Sequence, residues 1–390
     1  MITKNTTLIS ILLFLYVFFS NQIYSANRYW IGGTGTWDIS STSNLSTSSG
    51  GASGASVHTS SDNVFFDANS FSGGGQIVTI SATVNCLSMS WTGATNTPTL
   101  AGSSTLNIYG NLTLIAGMTI TYTGTIEFES TSTGRTITTA GKSLASNLNF
   151  QGTGGAWTMQ DALTTTKEFE LTAGTFNTGN YTLAVRQLNC YGFSSTTRAL
   201  NLGSSTVNIT PGSVWTSDIL NFDGSNLTVN AGTSNINITL SSSATFSYDI
   251  DYNGKTLYDL TLSNTNVAII TSGSSTFNNL TLGAGNIYQI SSGTTHTIQN
   301  TLTATGTCTS YIYIRSSSSG TLATMAFSGG VQSSSNLIVQ DITASTNTNT
   351  CTDCIDLVAT DGTWSWVTAI TARDLYWIGN TGNYSDPTEW

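Results

Sequence analysis

Three observations in the sequence predict an all-β chain wound as a right-handed parallel β-helix with coils of about 20 residues. Short segments of one kind recur, among them "VNCLSMSW" (Val84–Trp91), "IYGNLTLIAG" (Ile108–Gly117), "LASNLNFQG" (Leu144–Gly152), "GSNLTVNAG" (Gly224–Gly232) and "TFNNLTLGAG" (Thr276–Gly285). In each, apolar residues stand two apart, the period of a strand buried on one face, and a turn with Gly or Asn follows. The apolar positions Leu148, Phe169, Leu188, Val207 and Leu227, then Leu260, Leu280 and Leu302, align as one column whose steps are mostly about 20 residues. Helical periodicity is missing, and proline is confined to Pro98, Pro211 and Pro387. A single coil cannot bury its own apolar face, so stacking on the next coil supplies the core. Tandem β-sandwiches are the structural rival, but they repeat over roughly 100 residues, far more than this step.

The elements follow in order. Residues 1–26 carry Lys4, an apolar run from Leu8 to Phe19, and then Asn21–Ala26 with small residues at Ser25 and Ala26, the layout of a secretory signal peptide. The run falls short of the ~20 residues that span a bilayer, and no later segment approaches that length. The exported chain is therefore expected without an integral membrane segment, outside the cell or on its surface. Residues 27–72 form an amino-terminal cap and a Gly/Ser-rich loop, and residues 73–368 form the β-helix. Residues 373–390 begin the cap sequence a second time, from which the chain is expected to be part of a longer tandem-repeat array; the alternative is that this tail folds back as a carboxy-terminal cap. Along the coils Leu, Ile, Val and Phe point inward while Thr, Ser and Asn point outward.

The composition narrows the function. Charged residues are 8% against about 25% in typical domains, Ser plus Thr are roughly a third, and the formal charge is −10. With only 10 Lys and Arg, nucleic acid is excluded as a partner, because phosphate binding needs clustered cations.

The stretch from Tyr29 to Phe66 resembles the amino-terminal cap of secreted bacterial parallel β-helix surface proteins, autotransporter-like passengers and large gliding-adhesin-like repeat proteins. The shared pattern is an aromatic residue, a Gly-rich turn, Trp, an acidic residue, a second Trp, a variable loop and D-x-V-x-F. Here it is carried by Trp30, "GGTGT" at Gly32–Thr36, Trp37, Asp38 and "DNVFFD" at Asp62–Asp67. The chain departs from the pattern at the second Trp, where "SNLS" supplies Leu45. The second copy, "YWIGNTGNYSDPTEW", supplies Tyr376, Trp377, Tyr384 and Trp390. The resemblance implies an adhesin or structural stalk, with glycans or neighbouring surface proteins as partners.

Signatures of catalysis are sparse. Histidine occurs only at His58 and His296, so no Ser-His-acid triad can be assembled, and P-loop, dinucleotide and HExxH motifs are missing. The acidic pairs Glu127/Glu129, Glu168/Glu170 and Asp249/Asp251 alternate, so each pair projects from one strand face. As solvated outward residues they keep sheets from associating. The alternative function, a polysaccharide lyase or glycoside hydrolase, would use Asp249, Asp251 and Asp259, or Lys167 and Arg186 one coil apart. "CTDCIDLVATDG" offers Asp353, Asp356 and Asp361 to calcium, the one candidate cofactor, without the spacing of an EF-hand. Among five cysteines, Cys86 and Cys190 read as buried thiols, while Cys351 and Cys354 suit a local disulfide or one reaching Cys308. Thr119/Thr121 and Thr136/Thr138 raise an ice-binding surface, but their spacing is uneven. Trp157 and Trp215 fit either a contact surface or the core.

Overall fold

The computed structural model describes residues 25–192, 196–212, 218–240, 247–263, 268–329, 332–344, 350–357 and 368–369. The body of the expected leader, Trp215, Asp361 and the second cap motif lie outside them. The described chain is all-β, and its parallel strands stack as a β-solenoid of about 12 turns. It divides into two compact units, Met1–Asn177 and Thr178–Trp390.

In the first unit each coil after the first lays one strand on each of three faces. Sheet 1 holds Asn27–Trp30, Asn63–Phe65, Met89–Ser90, Leu112–Thr113, Arg135–Thr138, Ala156–Met159 and Gly174–Asn177, stacked parallel. Sheet 2 holds Gly35–Trp37, Ile77–Ile80, Thr99–Gly102 and Thr119–Ile120. Its place in the coil passes to Ser143–Leu144 and Leu163–Thr165. Sheet 3 holds Val84–Cys86, Leu106–Ile108, Ile126–Phe128, Leu148–Phe150 and Glu168–Leu171. On it Val84, Leu106, Ile126, Leu148 and Phe169 stand in register, at steps of 22, 20, 22 and 21 residues.

Regular coils bring like side chains over one another. Phe128 and Phe150 stack at 4.4 Å between ring centroids, and Phe150 and Phe169 at 4.9 Å. Trp157 and Phe176 meet Phe150 edge-on at 5.4 and 4.7 Å. All five rings are buried, and each such side chain contributes about 1.5–3 kcal/mol in removing apolar area from water. Trp157 is therefore a core residue.

The amino-terminal end is closed by a second aromatic pile. Phe66 lies against Trp91 at 3.9 Å, with Trp30 and Trp37 at 5.8 and 5.5 Å from it. Trp30 Nε1 donates to the carbonyl of Gly33 at 2.9 Å. A Cβ on Gly32 or Gly35 would stand 2.1 Å from the Asn44 amide, and Gly33 has φ +60°, so this turn depends on all three glycines. Leu45 pairs opposite Trp30 on an antiparallel strand and is buried, so a leucine fills the place of the second Trp.

The second unit is less regular. Leu188, Leu220 and Ile250 stand in register at steps of 32 and 30 residues, and Thr271 and Ile290 follow at 21 and 19. The uniform column expected from the sequence is in fact several. Val207 aligns with Ile236, Leu260, Leu280 and Leu302, whereas Leu227 aligns with Arg198 on another face. Leu148 and Phe169 belong to sheet 3 of the first unit. Every face carries the same apolar-polar-apolar strand, so period alone does not say which face a segment occupies. Arg198 is an inward-facing cation that no strand pattern announces. Its Nη1 donates to the carbonyls of Cys190 and Asp223, and it fits only because Gly192 and Gly224 lack side chains.

Candidate functional site

The outward face of sheet 3 in the first unit gathers a column of amides and carboxylates. Lateral register puts Asn85, Asn107, Glu127, Asn149 and Glu170 in one column on five consecutive strands, neighbours about 4.8 Å apart. The side chains bond along the stack. Asn107 Nδ2 donates to Asn85 Oδ1 at 2.8 Å, and Asn149 Nδ2 to Glu127 Oε1 at 3.2 Å. Gln151 Nε2 donates to Glu127 Oε2 at 2.5 Å and to Glu129 Oε1 at 2.7 Å. Partial burial pushes the Glu127 carboxyl above its usual range; the Asn149 amide opposes that, and the charges of Glu129 and Glu170 add to it. The phenol of Tyr109 is also raised, by burial first and then by Glu129.

A glycosidase needs two carboxylates flanking a bond, with roughly 5 Å between them for retention. The shared amide of Gln151 brings one oxygen each of Glu127 and Glu129 within about 5 Å. That same amide fills the space between them, so a glycosidic oxygen could enter only by displacing it.

The three aspartates named for the alternative chemistry are divided between two sheets. Asp249 and Asp251 project from Ser247–Asp251, while Asp259 lies on a different sheet, on Thr256–Ser263. Asp259 Oδ1 accepts from the side-chain amides of Asn278 and Asn279 at 3.1 and 2.7 Å. Asp251 Oδ1 accepts the Asn253 backbone N–H at 2.9 Å, a turn contact. Asp249 stands opposite Asp218, and its carboxyl is pushed up by burial and then by that neighbour's charge. Lys167 is exposed in the first unit, and Arg186 of the second unit donates to Gln187 Oε1 at 3.3 Å.

Of the calcium candidates, Asp353 is exposed with φ 56° and Asp356 is half-buried. Among the described residues no group of three His, Cys, Asp or Glu side chains is placed to hold a metal ion. Cys351 and Cys354 form a disulfide with a Cα–Cα distance of 5.7 Å, and Cys308 is an exposed thiol. Cys86 and Cys190 are buried, and burial pushes the Cys190 thiol up to about 12.

Both histidines are structural. His58 closes the edge of sheet 3: its Nε2 receives the Trp37 indole N–H while Nδ1 lies 2.5 Å from the carbonyl of Asn85. That pair of bonds requires the neutral ring protonated at Nδ1, and burial lowers its pKa accordingly. His296 sits in the core of the second unit, edge-on to Tyr252 and Phe277 at 5.4 and 5.7 Å. Asn149, Gln151 and Asp218 carry no motif. Their only signal in the sequence is a polar residue at the outward position of a strand whose neighbour carries an acid.

Fold and site together define a parallel β-solenoid whose first unit carries an outward column of amides and carboxylates. No family model, curated protein or solved structure matches the chain. Among the described residues no helix is long and apolar enough to cross a membrane.

Proposed function

We propose that the chain is an exported, non-catalytic β-helical module of a large surface or secreted protein, an adhesin or stalk that meets glycans or neighbouring surface proteins. The observation that supports this is the Asn85–Glu170 column, in which Asn107 bonds to Asn85 and the Glu127 carboxylate accepts from the amides of Asn149 and Gln151. Such a face offers repeated acceptors and donors at fixed spacing, and tandem modules add avidity to weak single contacts. The Cys351–Cys354 bridge suits an oxidising, extracellular setting.

Tandem organisation is supported by the second cap motif. It keeps glycine at Gly379 and Gly382, the positions matching Gly32 and Gly35, and places Asn380 where Gly33 has its left-handed backbone. Asn is the residue that best tolerates that conformation after glycine. The test is fractionation of the producing cells with an antibody to the chain, together with a glycan array probed with the intact protein. Recovery from the cell interior and an array without signal would both count against the proposal. The enzyme alternative has one observation in its favour, the closeness of Glu127 and Glu129, and hydrolysis abolished by Glu127→Gln would establish it.

A further inference from the structure

The second unit contains a step in its cross-section. Leu227–Asn230 pairs with Arg198–Asn201 on one side, and no described strand pairs with its other edge. In the next coil the short strands of two faces are replaced by one eight-residue strand, Thr256–Ser263. That strand joins the ladder of the preceding coil only from Asp259, where its N–H donates to the carbonyl of Ser234 at 3.1 Å. Thr256, Leu257 and Tyr258 therefore run past Leu227–Asn230 without pairing, and a groove of about 380 Å³ opens between them.

The groove's polar groups follow from the ladder. Arg198 N–H donates to Asn226 and Leu202 N–H to Asn230, both at 3.0 Å. In an extended strand alternate residues face opposite edges, so the backbone groups of Leu227 and Val229 face the open side. Lys255 Nζ donates to the Leu227 carbonyl at 2.9 Å, so among the described residues the N–H of Leu227 and the N–H and C=O of Val229 are turned to the groove. The opposite wall is a column of Tyr258, Asn278 and Gln299 on three consecutive coils. They are flanked in register by Leu257, Phe277 and Ile298 on one side and Asp259, Asn279 and Thr301 on the other. The Asn278 amide is oriented by its bond to Asp259. Gly232 forms the rim; a Cβ there would stand 2.2 Å from the Gly203 carbonyl, so the rim stays low.

We propose that this groove binds a neutral oligosaccharide, an inference that rests on the glycan-facing function proposed above. Carboxamides such as those of Asn230, Asn278 and Gln299 both donate and accept, as vicinal hydroxyls require. Tyr258 supplies the wall's one aromatic ring, for the apolar face of a pyranose. The nine residues lining the groove are uncharged, and the ionised groups at its margin are already engaged, Lys255 Nζ by the Leu227 carbonyl and Asp259 Oδ1 by the Asn278 and Asn279 amides, which favours neutral sugars over uronates or sulfated glycans. The volume lies at the lower end of the ~300–1,000 Å³ of small-molecule sites. An added peptide strand fits less well, because Lys255 occupies the Leu227 carbonyl and leaves a single edge acceptor, that of Val229.

The test is titration calorimetry of the intact chain with maltotriose, cellotriose and tri-N-acetylchitotriose, beside Tyr258→Ala, Tyr258→Phe, Asn278→Ala and Gln299→Ala. We expect one of the three sugars to bind, at least tenfold loss in each alanine variant, retention in Tyr258→Phe, and unchanged thermal melting. Gln299 is exposed, so Gln299→Ala keeps the test valid should another variant fail to fold. Binding of equal strength in all the alanine variants would place the site elsewhere and overturn the inference while leaving a glycan-binding module standing. No binding of the three sugars overturns it too. An additional blank on the glycan array would remove the broader proposal with it. Displacement of the bound sugar by a Val/Thr-rich extended peptide would show strand addition at the same edge and overturn the choice of ligand.

Discussion

Acid should destabilise the second unit through His296. Its Nε2 lies 3.0 Å from Thr271 Oγ1, its Nδ1 has no partner among the described residues, and no carboxylate lines the small cavity beside it. Burial therefore lowers its pKa from 6.5 to about 4. The unfolded chain binds the proton more readily, so the stability conferred by the neutral ring is fully present above about pH 6.5 and is lost as pH falls toward 4. A separation of about 2.5 pH units at ~1.36 kcal/mol each makes the full loss about 3 kcal/mol. The comparison is His296→Phe, which keeps an aromatic ring at the site. Urea unfolding of both proteins at pH 7 and pH 4 should agree within about 1.5 kcal/mol at pH 7. The wild type should then lose about 3 kcal/mol more than the variant on going to pH 4. Carboxylates common to both proteins cancel in that difference. Equal losses would refute the argument that His296 is held neutral by burial.

Three further outcomes follow from the packing. Phe150→Ala removes the ring at the centre of the stack formed with Phe128, Phe169, Trp157 and Phe176 and should cost about 3–5 kcal/mol, read from the urea midpoint. Gly35→Ala drives a methyl into the Asn44 amide and should lower the melting temperature and loosen the cap, seen as increased quenching of Trp30 and Trp37 by acrylamide, whereas Gly117→Ala, with open space around it, should do neither. Glu127→Gln should raise stability at pH 7, because a carboxyl whose pKa is raised in the fold favours folding at low pH and loses that contribution as pH rises; on this half-exposed face the gain stays below about 1 kcal/mol.

The strand pattern was legible because coil stacking demands it. Ile126, Glu127 and Phe128 alternate in sequence as they alternate in and out of the core. What could not be read was the face each strand occupies, since Val207, Leu227 and Leu260 look alike and only the coil path separates Leu227 from the other two. The same ambiguity made Asp249, Asp251 and Asp259 look like one site. Asp259 belongs to the strand on the next face, ten residues on from Asp249. One signal was present in the letters. "TLYDLTLS" runs eight residues with no glycine or asparagine, where the earlier coil turns at Ala231–Gly232. A missing turn means a merged strand, and the merged strand opens the groove. The amide bridge of Gln151 depends on lateral register between coils, to which no local motif corresponds.

The function proposed above has this solenoid hold its partners without cutting them. The most direct measurement is a reducing-end assay on the intact chain incubated with neutral and acidic polysaccharides, run beside a co-sedimentation assay on the same polymers. The account predicts retention on at least one polymer with no new reducing ends at any pH between 4 and 8. New ends that rise with time, and that vanish in Glu127→Gln, would contradict it.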